Sequence, residues 1–266
     1  MTQPTLTQIN IYPIKSLGGF PVPSANVEPR GLQHDRRWML VDEDGRFLTQ
    51  RALPRMALVS VNVEAEGLTL RAPDSQALRV PLHPSGNATE TVRVWRSVCR
   101  AVPVGEEADR WLTGFLGVPC RLVYMPEETR RAVNTDYSAA EGIVSFADGY
   151  PLMLLGEASL HDLNSRLERP VPMNRFRPNL VVSGSSAYAE DGWQKIRIGN
   201  TVFHGVKPCD RCSLITVDQA TGEAAGPEPL KTLAAYRLKD RKVLFGQLLI
   251  PDGAGLVRVG DAVEIC

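Results

Sequence analysis

Short runs in which apolar and polar residues alternate, each closed by turn residues, recur along this chain. A period of two commits such runs to sheets with one buried face. Val59, Val61 and Val63 alternate with Ser60, Asn62 and Glu64, and Glu66-Gly67 turns the chain into Leu68-Thr69-Leu70. Trp38 to Val41, the turn Asp42-Glu43-Asp44-Gly45 and Arg46 to Thr49 repeat the theme, and Val92 to Trp95 adds a strand. The first ~100 residues therefore read as a small barrel or sandwich.

Helical periodicity is confined to a few windows. Ala108, Trp111, Leu112 and Phe115 fall at i, i+3, i+4 and i+7, and Gly117 and Pro119 stop that helix at a natural domain boundary. Pro126 to Ala140 is polar and aperiodic, a loop that either covers something or moves. A second helix is expected from Glu157 to Leu167 and a third from Pro229 to Arg237. Around them lie strands at Leu180 to Val182, Ile196 to Ile198, Thr201 to Phe203, Val257 to Val259 and Val263 to Ile265. Strand–helix repeats of the parallel-sheet kind are missing, so the expected class is α+β, mostly β, in two packed domains.

Composition removes several functions. Thirty Lys and Arg balance thirty Asp and Glu, so no overall field favours polyanions, and nucleic acid is not expected as a partner. No apolar run reaches the ~20 residues that span a bilayer, and the amino end lacks the basic-then-apolar layout of a signal peptide, so the expectation is cytoplasmic with no membrane partner. Five cysteines, an odd number, argue for reduced thiols, and the Asn87-Ala88-Thr89 sequon is then incidental. Dinucleotide, phosphate-loop, zincin and hydrolase fingerprints are absent, and His34, His83, His161 and His204 show no metal-ligand spacing.

The most reactive stretch is Lys207-Pro208-Cys209-Asp210-Arg211-Cys212, expected between a strand ending near Val206 and another over Ser213 to Val217. A C-x-x-C can be a redox dithiol, half of a zinc site, a buried structural pair, or one thiolate ligand with a bystander. Cys99, Cys120 and Cys266 are scattered, which starves a zinc site, and a strand after Cys212 denies a dithiol its helix dipole. A single thiolate on a soft metal centre suits the flanking cations Lys207 and Arg211. Elsewhere Lys15-Ser16, Arg36 and Arg177 occupy constrained settings and together could grip a phosphorylated ligand.

In order along the chain run Y-P-I-K-S, D-R-R-W, S-F-A-D-G-Y-P, E-A-S-L-x-D-L-N-S-R-L, F-R-P-N-L-V-V-S-G, K-P-C-D-R-C, T-V-D-x-x-T-G, E-P-L-K-T-L, F-G-Q and V-G-D-x-V-E-I. This set resembles the MOSC family with its N-terminal β-barrel domain, especially bacterial YcbX-type proteins and the amidoxime-reducing components. The resemblance implies an N-terminal β-barrel domain over residues 4–120 packed on a MOSC β-barrel domain over residues 121–266, with a few helices. It also implies a molybdenum cofactor whose pterin dithiolene holds the metal, with Cys212 as the protein ligand and Cys209 its neighbour. By the same matching Lys15, Ser16, Arg36, Arg177 and Asn179 are implied cofactor contacts, with Asp210 and Arg211 beside them.

Asp148 lies in a loop that faces the metal in the family, and it is the candidate proton donor or substrate-orienting residue. Gly149, Tyr150 and Leu248 depart from the family pattern, so side-chain contacts at those positions do not carry over. The expected activity is reduction of N-hydroxylated and N-oxygenated small molecules, with a detoxifying role. Electrons are expected from a ferredoxin, a flavodoxin-type reductase or a b-type haem protein, because the sequence carries no flavin, nicotinamide or iron–sulfur motif and lacks the ferredoxin domain of the longer YcbX-type proteins. A non-catalytic cofactor carrier and a sulfur-transfer protein using Cys212 are the alternatives within the family.

Overall fold

The computed structural model describes residues 3–84, 88–137, 142–224 and 226–266. Asn87 of the sequon and residues 138–140 of the polar segment lie outside them. The fold is mostly β, as expected, with three α-helices among the described residues.

The largest sheet has nine strands. Its main order is Val263–Ile265, Lys195–Ile198, Thr201–Arg211, Lys242–Pro251, Leu152–Gly156, Leu180–Ser183, Thr5–Ile11 and Phe20–Val22. The first strand of the chain thus lies inside the sheet built from its second half, with Thr5 opposite Ser183 and Ile9 opposite Leu180. A four-stranded sheet joins Trp38–Val41, Arg121–Tyr124, Ser97–Pro103 and Glu90–Val94. The expected hairpin is present as Ser60–Glu64 against Gly67–Arg71, with Leu78–Pro81 beside it. Arg46 to Thr49 makes only isolated bridges rather than a strand.

Glu106–Leu116 forms the first helix. Three acidic residues in its first turn complement the helix dipole, and Gly117, left-handed at φ 73°, ends it as the sequence predicts. Its Leu112 and Phe115 pack with Trp38, Met56 and Leu68 in the N-terminal core. A second core fills the large sheet with Leu6, Ile9, Ile196, Phe203, Leu249 and Val257.

Three expectations need correction. Leu152–Gly156 and Leu180–Ser183 pair in parallel across the helix Glu157–Ser165, so one strand–helix–strand unit exists after all. Leu152–Gly156 is apolar throughout, the mark of burial on two faces, and carries no alternation to signal it, so the expected strand at Leu180 to Val182 lacked a visible parallel partner. The strand expected to stop near Val206 continues to Arg211, and Ser213–Thr216 is a short 3-10 helix rather than a strand. Arg175 explains that last difference: its guanidinium takes the carbonyls of Ile215 and Thr216, which a strand would have given to a ladder.

The long strand Thr201–Arg211 shifts register against Lys242–Pro251 twice, between Gly205 and Lys207 and between Pro208 and Asp210. Bulges of this kind re-aim side chains at the end of a strand, here just before Cys212. Gly205 permits the first: a Cβ there would stand 1.9 Å from the Trp193 carbonyl oxygen. Gly205→Ala should therefore destabilise the fold by about 3 kcal/mol, read as a fall in thermal melting temperature. An unchanged melting temperature would mean that the strand can drift off Trp193 at no cost.

Candidate functional site

The end of the long strand opens into a cleft of about 1060 Å³, and every candidate site residue named from the sequence lines it. Its lining holds ten Lys or Arg residues against three aspartates, in a chain whose formal net charge is zero. The field that whole-chain composition excludes exists locally.

Three segments far apart in sequence make the cationic floor. The turn after the first strand supplies Lys15 and Ser16, and it is tied to the 34–37 turn by the bonds from Tyr12 N to Asp35 Oδ1 (2.9 Å) and from Arg36 N to Tyr12 O (2.8 Å). Ser16, Arg36 and Arg177 all adopt positive φ, at 65°, 49° and 55°. Such backbone costs energy in residues other than glycine and persists where the surroundings impose it, characteristically at functional sites. The guanidinium carbons of Arg36 and Arg177 lie 4.6 and 4.3 Å from the Tyr12 ring centroid, which holds two like charges in one small volume.

Arg36 is further fixed by Asp35 and by Asn179, whose Oδ1 accepts from Arg36 Nη1 at 2.8 Å and from Met153 N at 3.2 Å. Asn179 Nδ2 donates to Asn10 O at 3.2 Å, and the residue is only 1% exposed. Its amide is committed to the protein at both ends, so it positions Arg36 rather than offering itself to a ligand. Arg177 differs: its Nη2 is buried with no hydrogen-bond partner. Burial pushes its pKa down to about 10, against the pull of Tyr12, and it remains charged at neutral pH.

Cys212 is exposed in the cleft, with Arg51 Nη1 3.8 Å from its Sγ. Cys209 packs instead against the Phe176–Phe245 core, where Arg211 Nη1 lies 3.1 Å from its Sγ. Burial raises the Cys209 thiol pKa, with Arg211 opposing. Arg211 also donates to Phe176 O at 2.7 Å and approaches Met153 Sδ at 3.2 Å, so it braces the strand end. Asp210 is exposed beside it. The two cysteines therefore have different surroundings, one open and one packed. The 3-10 turn after Cys212 is too short to supply the helix that a thioredoxin-like dithiol uses.

Asp148 sits opposite, in a loop that the polar segment holds in place. Arg131, buried within that segment, donates to the carbonyls of Ser145 (2.8 Å) and Asp148 (2.6 Å), and Arg131 to Asn134 line the cleft. Asp148 Oδ1 accepts from Lys15 Nζ and from Trp95 Nε1 (3.0 Å). Desolvation in the cleft raises its pKa, but the charge and hydrogen bond of Lys15, with the bond from Trp95, outweigh it and hold the carboxyl well below the usual carboxylate range. Burial lowers the pKa of Lys15, and Asp148 draws it back up. A carboxylate whose folded pKa is depressed contributes its stability above the unfolded value near ~3.9, and loses that contribution only as pH falls further into acid. Asp148 is thus held as an anion and disposed to accept hydrogen bonds.

Sequence reading missed Arg51, Trp95, Arg131 and Tyr12. The sequence places Trp95 at the end of a strand, whereas the structure ends that strand at Val94 and makes Trp95 the first residue of a two-residue turn, at positive φ.

Fold and site together define a class: a mostly β protein whose cleft presents one open sulfur among fixed, partly unsatisfied cations. The chain belongs to the MOSC family, since residues 3–119 match the MOSC N-terminal beta barrel domain and residues 141–264 match the MOSC domain. It is 38% identical over 278 residues to mitochondrial amidoxime-reducing component 1 of Mus musculus, covering 98% of this chain and 82% of the relative. The Homo sapiens protein of the same name matches with the same identity and coverage. Mitochondrial amidoxime reducing component 2 of Bos taurus is 38% identical over 276 residues, covering 97% of this chain and 82% of that one.

Proposed function

We propose that this protein is a molybdenum-cofactor-dependent reductase of N-hydroxylated and other N-oxygenated small molecules, driven by electrons from a separate redox protein in the cytoplasm. The observation that carries the reading is the pairing of an open Cys212 sulfur with a buried, unpartnered Arg177 Nη2 in one cleft. A metal with a phosphorylated organic ligand fits both.

Among the described residues no group of three or more His, Cys, Asp or Glu side chains could hold a metal ion. A metal at Cys212 must therefore draw its other ligands from a non-protein source, as a dithiolene provides. When bound, the cofactor supplies the two-electron chemistry that cleaves an N–O bond and releases the oxygen as water. The chain supplies placement. Cys212 would hold the metal, while Arg177, Arg36, Lys15 and the hydroxyl of Ser16 would receive the anionic end of the pterin. Asn179 and Arg211 align these groups, and Arg131 fixes the loop facing them.

Of the two roles open to Asp148, its ionisation favours orienting. Oδ1 is held by Lys15 and Trp95, and Oδ2 has no partner among the described residues, so it can accept an N–H of the substrate. Asp148→Asn should lower kcat/KM for benzamidoxime about tenfold, mostly through KM, in steady-state assays. Unchanged constants would remove Asp148 from substrate recognition.

The test of the whole reading is reconstitution of the molybdenum-loaded protein with NADPH and benzamidoxime. Turnover should be absent with NADPH alone and appear when a ferredoxin with its reductase, a flavodoxin-type reductase or a b-type haem protein with its reductase is added. Turnover without any protein partner would overturn the need for one. No turnover with any donor would leave a cofactor carrier in its place.

A further inference from the structure

The tip of one hairpin is built against its own conformational preference. Strands Glu90–Val94 and Ser97–Pro103 pair with Val94 opposite Ser97, leaving Trp95-Arg96 as a two-residue turn. Such turns favour glycine or asparagine because they require positive φ. Here a tryptophan takes φ 55°. Core burial does not reward it, because Trp95 remains 45% exposed.

Its interactions lie in the cleft. Trp95 Nε1 donates to Asp148 Oδ1 at 3.0 Å, the oxygen that Lys15 also holds. The Arg51 guanidinium carbon lies 4.4 Å from the Trp95 ring centroid, and the Phe47 ring lies 5.0 Å away, tilted at 55°. Arg51 in turn reaches Cys212 Sγ at 3.8 Å. One indole thus touches the acceptor on one wall of the cleft and the cation beside the sulfur on the other.

We infer that Trp95 is a positioning residue that fixes Asp148 through its indole N–H and Arg51 through its ring, setting both substrate orientation and the hydrogen bond to the Cys212 sulfur. The N-terminal domain thereby completes the site, and the backbone strain of the turn is retained because only a long, flat donor reaches both groups. The kinetic part of this inference rests on the reductase reading above, and the hydrogen-bond part does not.

Two variants separate the functions. Trp95→Phe keeps a ring and loses the N–H. Trp95→Asn suits the turn and loses both contacts. In the cofactor-free protein, the indole N–H resonance missing from Trp95→Phe identifies Trp95, and it should shift in Asp148→Asn but not in Asp210→Asn. In the molybdenum-loaded protein, Trp95→Phe should raise KM for benzamidoxime about tenfold with kcat within about twofold, leaving the electron paramagnetic resonance signal of the metal unaltered. Trp95→Asn should raise KM equally and also alter that signal, as Arg51→Leu should, while its melting temperature rises.

That combination, a more stable fold with a worse site, is one that a merely structural tryptophan cannot give. An indole resonance indifferent to Asp148→Asn, or a Trp95→Asn protein with wild-type KM and spectrum, would overturn the inference. If the resonance responds but no donor supports turnover in the wild type, the reductase reading fails and the Trp95–Asp148 contact stands.

Discussion

Cys212→Ala should abolish molybdenum retention, lowering the metal content of purified protein more than about 100-fold, whereas Cys209→Ala should stay near stoichiometric. The two cysteines are three residues apart, yet the structure gives them opposite prospects. Cys212 is exposed in the cleft beside Arg51, while Cys209 is half-buried and packed on Phe176 and Phe245, with its pKa raised by burial. A ligand must be accessible and able to lose its proton; Cys212 is the more open of the two, and burial works against the thiolate of Cys209. Elemental analysis of wild type and both variants, expressed in a host that makes the cofactor, is decisive. Equal loss in both would mean that the pair acts together, as a dithiol or a shared ligand set would.

Arg177→Leu should weaken retention of the pterin about 100-fold while leaving the cofactor-free fold as stable as wild type, or more so. The signs oppose because Arg177 serves no protein partner at Nη2, and burial makes its charge costly. A charge-assisted, forked contact to a phosphate group would recover that cost only in the loaded protein. Pterin content by fluorescence of the oxidised cofactor gives the first number, and thermal melting of the cofactor-free protein gives the second. A large loss of stability without the cofactor would make Arg177 a scaffold residue and leave Arg36 and Lys15 to carry the anion.

What the sequence disclosed, it disclosed through residue type. A C-x-x-C between cations, and Lys or Arg in constrained settings, announce chemistry wherever the chain places them, and Lys15, Arg36, Arg177 and Cys212 do meet in one cleft. Arg51, Arg131 and Trp95 were illegible for the opposite reason. Each resembles an ordinary surface residue until a segment distant in sequence arrives beside it, as Asp148 does beside Trp95 and Ser145 beside Arg131.

Secondary structure failed in the same way at Ser213–Thr216. Its composition suits a strand, and only Arg175, held by Asp218, diverts the carbonyls. No local pattern could show that Thr5–Ile11 belongs beside Leu180–Ser183, because alternation fixes which face is buried and not which neighbour covers it.

That first strand imposes an order of events on the ribosome. Thr5–Ile11 can pair at once with Phe20–Val22 along one edge, but its other edge must stay open until Leu180–Ser183 has been made. Thr5 also bridges Ala262, almost at the other end of the chain. Lys15 and Ser16 follow directly on that waiting strand, so the anion grip cannot exist before the sheet closes. Loading of the cofactor is accordingly expected after synthesis, into a finished fold, and the two sequence-defined halves should not be separable into working parts. A nascent chain that stops before Leu180–Ser183 is made offers an open strand edge to any other chain that can pair with it.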